Sequence, residues 1–265
     1  MILRGNYLGQ EYVRETRGKG LAEGSASGRV WKVIGISLSC LSLLIAAVIV
    51  TVTICFFLSP VDGGSMTTTL NAGYFPGHTN TDTVFASKFS NPKRGDIIIC
   101  KWYLTNPEKA PQSLQQSLLK DDEGWFIYVI KRLIAIEGDT LSVTKNGDSY
   151  TIYLNGEVLN EPYLDPQYGR YTAANYARLY NSLGGNFSGA SVYCKWTQKD
   201  IINRDTHSMV IPSGYWFYMG DNRTGSEDGS YYGPQLKSHF VGKAEDVMEN
   251  GKNIPSYLLG KLFGG

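Results

Sequence analysis

Hydrophobic positions in this chain collect in one uninterrupted run and then recur as short bursts separated by turn residues. The run from Val33 to Leu58 contains no charged residue and exceeds the about 20 residues that cross a bilayer as a helix. Its polar members Ser37, Ser39, Ser42, Thr51 and Thr53 can return their hydroxyls to the helix's own carbonyls. Thirty-two residues precede the run, whereas a cleaved secretory signal has a shorter apolar core close to the N-terminus and a small-residue cleavage site. The pattern predicts an uncleaved anchor helix over 33–58, a flexible tail over 1–32 and a domain over 59–265.

Past the anchor the period changes to that of strands. Asp96 to Trp102 reads as a buried strand opened by Arg94-Gly95, and Trp125 to Ile136 as a β-branched strand closed by Glu137-Gly138-Asp139. Residues 104–124, with two prolines and many polar side chains, read as a surface loop. Asn146-Gly147 and Asn155-Gly156 stand beside strand-like Leu141–Val143 and Tyr150–Leu154, which is hairpin grammar. The stretch from Pro162 to Asp205 is rich in Tyr, Asn and Gly and shows no clear period, so it reads as irregular. It falls within an insertion spanning about 141–210. Tyr215 to Met219 restores a strand that Gly220 ends. The expected fold is mostly β, with an inserted β or irregular subdomain, behind one N-terminal transmembrane helix.

Charge adds a direction. Arg4, Arg14, Arg17, Lys19, Arg29 and Lys32 precede the apolar run, while the first residues after it carry only Asp62 and the next basic residue is Lys88. The positive-inside bias then places the N-terminus in the cytoplasm and the domain outside. A net charge of +1 over 265 residues gives no reason to expect a nucleic-acid partner. Cys40 and Cys55 lie in the span; Cys100 and Cys194 are outside it and leave two readings open, one disulfide or two buried thiols. His78, His207 and His239 are far apart and no cysteine pair has metal-site spacing, so neither metal nor cofactor is expected.

The chemistry-bearing candidate is Ser65, in Gly63-Gly64-Ser65-Met66 just past the anchor. A glycine-rich approach lets backbone N–H groups reach a developing oxyanion. Its base need not be a histidine. In Tyr128 to Ile136, strand alternation puts Lys131 on one face with Val129, Leu133 and Ala135, and Arg132 on the other. Apolar neighbours desolvate an ammonium and lower its pKa, which makes lysine a general base. From the strand alone the competing reading is a lysine that snorkels to solvent over apolar surface.

At this point four stretches resemble the boxes of bacterial type I signal peptidases, of the Gram-positive-like kind: Val61 to Leu70, Lys93 to Ile98, Tyr128 to Asp139, and Gly220 to Asp228. Their order and spacing behind an anchor make the resemblance specific. It implies a membrane serine endopeptidase of the Ser/Lys-dyad type that removes signal peptides from exported preproteins. By that resemblance Ser65 is the nucleophile, with its backbone N–H in the oxyanion hole, and Lys131 is the base. Ser226 orients the lysine, and Asp228, Asp221, Arg223 and Gly220 brace the site. Met66 borders the substrate, which adds as an extended strand with small residues at −1 and −3. The implied partners are preprotein signal peptides, the lipid bilayer of the plasma membrane and the nearby export machinery.

Three positions depart from the family pattern. Thr68 stands where proline is usual, which loosens the segment after the nucleophile. Ser230 stands where arginine is usual, leaving Asp228 to find another partner, for which Arg223 is the candidate. Gly63 replaces a serine found in some relatives and leaves the oxyanion to backbone N–H groups. Thr68 and Ser230 motivate an alternative, a weakly active homologue that binds its targets, and the insertion motivates a peptidase restricted to surface or pilin-like substrates.

Overall fold

The structure is a computed structural model. It describes residues 26–67, 69–70, 81–104, 107–109, 115, 117–164, 173–187 and 201–248. Most of the expected tail, Thr68, His78 and Cys194, and with Cys194 the question of a disulfide, lie outside these residues. The chain divides into two compact units, Met1–Thr53 and Ile54–Gly265.

The first unit contains helix α1, Ala26–Cys55, whose last residues pass into the second. The helix is apolar on every side: Trp31, Leu43 and Leu44 are all exposed, and none of its apolar stretch is buried among the described residues. It starts earlier than the apolar run because Ala26 to Lys32 continues the helix without a breaker. Its hydroxyls turn inward as expected: Ser39 Oγ donates to the Gly35 carbonyl (2.9 Å) and Thr51 Oγ1 to that of Ala47 (2.8 Å). It ends at Cys55, before the apolar run does. Phe56 and Phe57 go instead into strand β1, Phe56–Pro60, where Phe56 stacks on Phe85 at 5.0 Å. Aromatic residues gain more from packing across a strand pair than from another helical turn.

In the second unit, all described strand pairs are antiparallel. The larger sheet has the order β1, β2 (Thr83–Ser87), β13 (Phe240–Met248), β3 (Ile97–Tyr103), β5 (Gly124–Ala135), β11 (Tyr215–Met219), β12 (Gln235–Leu236), with β4 (Leu119–Asp121) also paired to β5. The expected loop over 104–124 thus contains β4, an edge hairpin partner. The smaller sheet has the order β8 (Glu157–Val158), β7 (Ser149–Leu154), β6 (Thr140–Asn146), β10 (Ser208–Val210), β9 (Ile202–Asn203).

Leu154 pairs with Glu157, so Asn155 and Gly156 form a two-residue turn, and both have positive φ, 55° and 85°. That is the backbone Asn-Gly favours in a hairpin. At the other signal Asn146 pairs with Ser149, and the turn is Gly147 and Asp148.

The irregular reading of 162–205 needs correction. It contains helix α2, Ala173–Asn181, continuing into a wide turn over Ser182–Asn186. Tyr176, Leu179, Tyr180 and Leu183 fall at helical spacing and pack into a core shared with Leu141, Val143, Ile152, Met209 and Phe217. The period is built half from tyrosines, whose hydroxyls disguise an apolar face. α2 therefore fastens the smaller sheet to the ends of β5 and β11.

Candidate active site

The site is assembled from three segments. Gly63, with φ of 78°, turns the chain from β1 into a single 3-10 turn, Gly64–Met66. Asn222 holds this turn at two points: its backbone N–H donates to the Ser65 carbonyl (3.0 Å) and its Nδ2 to the Gly64 carbonyl (2.9 Å). Met66 is 1% exposed and packs among Val61, Leu70, Val84, Ala86 and Ile99. That corrects its expected place beside the substrate. Its side chain anchors the nucleophile turn from inside the core.

Lys131 comes from β5. Its cross-strand neighbour on β3 is Ile98, and Cys100 faces Val129 two pairs along. The side chain is buried and its Nζ lies 2.7 Å from Ser65 Oγ. Burial pulls the ammonium from 10.5 down to about 8, and the carboxylate of Asp228 is the chief influence resisting it. Burial likewise pushes the Cys100 thiol well up, with Lys131 opposing, so that thiol stays protonated.

The third segment follows β11. Gly220 has no room for a side chain: a Cβ there would lie 2.3 Å from both Ser226 Oγ and the Ser65 carbonyl. Ser226 is thus packed against the nucleophile turn. Its hydroxyl is buried and makes no hydrogen bond with any described residue, Lys131 included.

Asp228 is fully engaged, though not as expected. Its Oδ2 accepts from the Gly220 N–H (2.8 Å), and its Oδ1 from the N–H (2.9 Å) and hydroxyl (2.7 Å) of Ser230. In doing so it caps helix α3, Gly229–Tyr232. Arg223 is not its compensating partner. Arg223 donates from Nε to the Gly220 carbonyl (3.0 Å) and forms a buried ion pair with Glu161. Burial alone would lower the Arg223 guanidinium, but Glu161 holds it above its ordinary value. A short side chain at 230 suits Asp228 because it brings two donors to one oxygen without adding charge.

Asp221 completes the frame. It accepts both forks of Arg132, Nε at 2.9 Å and Nη2 at 2.6 Å, and the hydroxyl of Thr69. Arg132 also lies over the ring of Tyr163, 3.7 Å from its centre. The Lys131-Arg132 pair thus splits its work by strand alternation. One faces the nucleophile and the other ties β5 to the segment after it.

Ser65, Lys131, Gly220, Ser226 and Asp228 are brought together, with Asp221 and Arg223 one layer further out. Sequence reasoning missed Asn222, Glu161 and Thr69. Asn222 had a signal, since Gly-Asp-Asn is a turn sequence whose amide can reach a neighbouring backbone. Glu161 had none, because its partner is 62 residues away.

The family model for signal peptidase, peptidase S26, matches residues 35–248. A protein named signal peptidase I from Pseudomonas aeruginosa is 26% identical over 78% of this chain and 64% of its own length. One of the same name from Aquifex aeolicus is 27% identical over 63% and 66%. Signal peptidase IB of Staphylococcus aureus is 32% identical over 43% of this chain and 49% of its own length. The chain therefore spans less than two thirds of the length of these relatives. A solved signal peptidase I from Enterococcus faecalis is 24% identical and covers 58% of this chain and 97% of that one, with a TM-score of 0.29, too low to carry an argument.

Proposed function

The chain belongs to the signal peptidase, peptidase S26 family, and from that premise we propose that it is a membrane-anchored endopeptidase that removes signal peptides from exported preproteins. The observation that carries this reading is the buried Lys131 amine 2.7 Å from Ser65 Oγ. With the amine neutral, the Ser65 hydroxyl donates to Nζ. Lys131 then takes the proton as Oγ attacks the scissile carbonyl, and the tetrahedral oxyanion forms within reach of the Ser65 N–H. The ammonium next protonates the departing amine, leaving an acyl-enzyme. Water, deprotonated by Lys131, hydrolyses that ester and restores both groups. The charge of Asp228 favours the ammonium that forms on Lys131, and no cofactor enters any step.

The substrate adds as an extended strand with small residues at −1 and −3, and α1 holds the enzyme in the plasma membrane close to the export machinery. The hydrogen bonds that Ser230 gives Asp228 weigh against a weakened homologue, because they meet the need created by the absent arginine.

Cleavage of a membrane-inserted preprotein by the wild type, Ser65→Ala and Lys131→Ala tests the assignment. The wild type should cut at one site and both variants should lose at least about a thousandfold in rate, in keeping with loss of a nucleophile or its base. Full activity in either variant would overturn the dyad.

A further inference from the structure

Helix α2 does more than complete a core. It sends two side chains into the segment that carries Ser226 and Asp228. Arg178 Nη1 donates to the Ser226 carbonyl (2.9 Å), and Ser182 Oγ donates to the Ser230 carbonyl (2.7 Å). These contacts bracket the segment at both ends. Between them Arg178 lies over the ring of Tyr231, 3.9 Å from its centre, a cation–π contact that helps hold the guanidinium in place. A third contact reaches the start of the same segment. Tyr176 donates from its hydroxyl to Glu161 (2.7 Å), the carboxylate that pairs with Arg223.

Ser226 needs an outside hold. Its hydroxyl is buried without a partner, and among the described residues the bond from Arg178 is the hydrogen bond it receives. It is also packed tightly against Gly220 and the nucleophile turn. A small displacement of the Ser226 carbonyl therefore moves a side chain wedged beside Ser65. A charged donor on a carbonyl is among the stronger hydrogen bonds available, and one from a helix seated in the core is already ordered.

From these contacts we infer that Arg178 is a positioning residue for the reaction: it clamps the Ser226–Ser230 segment against the Ser65–Lys131 pair, making the inserted helix part of the catalytic framework. The inference rests on the proposed peptidase reading, because it is the dyad that the clamp serves. It acts through Ser226 and touches no reacting atom, so its loss should appear in kcat and not in substrate binding.

The test compares the full-length wild type with Arg178→Ala, Arg178→Lys and Leu179→Ala on a preprotein substrate, with hydrogen–deuterium exchange of residues 220–230 followed in parallel. Arg178→Ala should lower kcat by about 10- to 100-fold with KM within about twofold, matching a lost charge-assisted bond. Its amides over 220–230 should exchange faster while those of β6 and β7 do not change. Arg178→Lys keeps the charge without the planar guanidinium and should recover part of kcat. Leu179 is buried in the core with Leu141, Val143 and Phe217. Leu179→Ala should therefore lower the melting temperature while sparing kcat well below the transition.

Equal loss of kcat in Leu179→Ala and Arg178→Ala, or unchanged exchange over 220–230 in Arg178→Ala, would overturn the clamp. A wild type that cleaves no preprotein would instead defeat the peptidase reading. The exchange measurement would still report whether Arg178 holds the segment.

Discussion

Lys131 is held in the form that weakens the fold. Its folded pKa, about 8, lies below the 10.5 of the free side chain. Below about 8 both states carry the proton and the folded one bears the whole desolvation penalty, roughly 3 kcal/mol at 1.36 kcal/mol per unit. Between about 8 and 10.5 the unfolded chain binds more protons, so stability rises with pH. Lys131→Met should abolish cleavage yet raise the unfolding free energy in urea by about 2–3 kcal/mol near pH 6, a margin that closes toward pH 10.5. A margin independent of pH would mean that the ammonium is solvated. In the wild type the rate should climb through about pH 8, because the base must be neutral; a limb near the histidine range of ~6.5 would point to another base. Gly220→Ala sets a second expectation. The added methyl would meet the Ser65 carbonyl and Ser226 Oγ at 2.3 Å, so cleavage should fall by at least about a hundredfold, whether or not the melting temperature moves. These residues were legible in the sequence because their signals are local: glycines before a serine, and a lysine at a core position of an alternating strand. The partners of Asp228 were not. The Ser230 hydroxyl is only two residues away, but choosing it over Arg223 depends on Glu161, which occupies Arg223 from the far side of the insertion.

Among elements, legibility followed the clarity of the period. β5 carries a near-continuous apolar, β-branched run and the Asn155-Gly156 hairpin a turn pair with one preferred backbone, and both stand where the pattern put them. Helix α2 went unread because its buried face alternates tyrosine with leucine and its neighbours are polar. α1 ended early because Phe56 gained a stacking partner in Phe85, a contact between segments far apart in sequence. The Arg223–Glu161 pair joins two such elements, and its two side chains are 0% and 8% exposed. Removing one partner leaves a buried charge uncompensated. Glu161→Gln should therefore destabilise by about 3–5 kcal/mol in urea unfolding, and Glu161→Leu combined with Arg223→Met should cost much less than either single change. Additive losses in that cycle would show that the two side chains act independently.

On the scale of the whole chain, the apolar surface of α1 poses a question of solvent. A helix hydrophobic on all sides must be covered by protein or by lipid, and none of its apolar stretch is buried among the described residues. Lipid is the covering consistent with its length and with the family to which the chain belongs. Among the described residues no second helix is long and apolar enough to cross a membrane. The charge excess before the span predicts a cytoplasmic N-terminus and an external Ser65, since moving a cluster of Arg and Lys across a bilayer is the more costly arrangement. Cells expressing the full chain and treated with a membrane-impermeant amine reagent should therefore give labelled peptides containing the exposed Lys120 and Lys145, while Lys19 stays unmodified until the membrane is permeabilised. Labelling of Lys19 in intact cells with protection of Lys120 would invert the topology. It would also separate the active site from exported substrates, and the proposed reaction would fail with it.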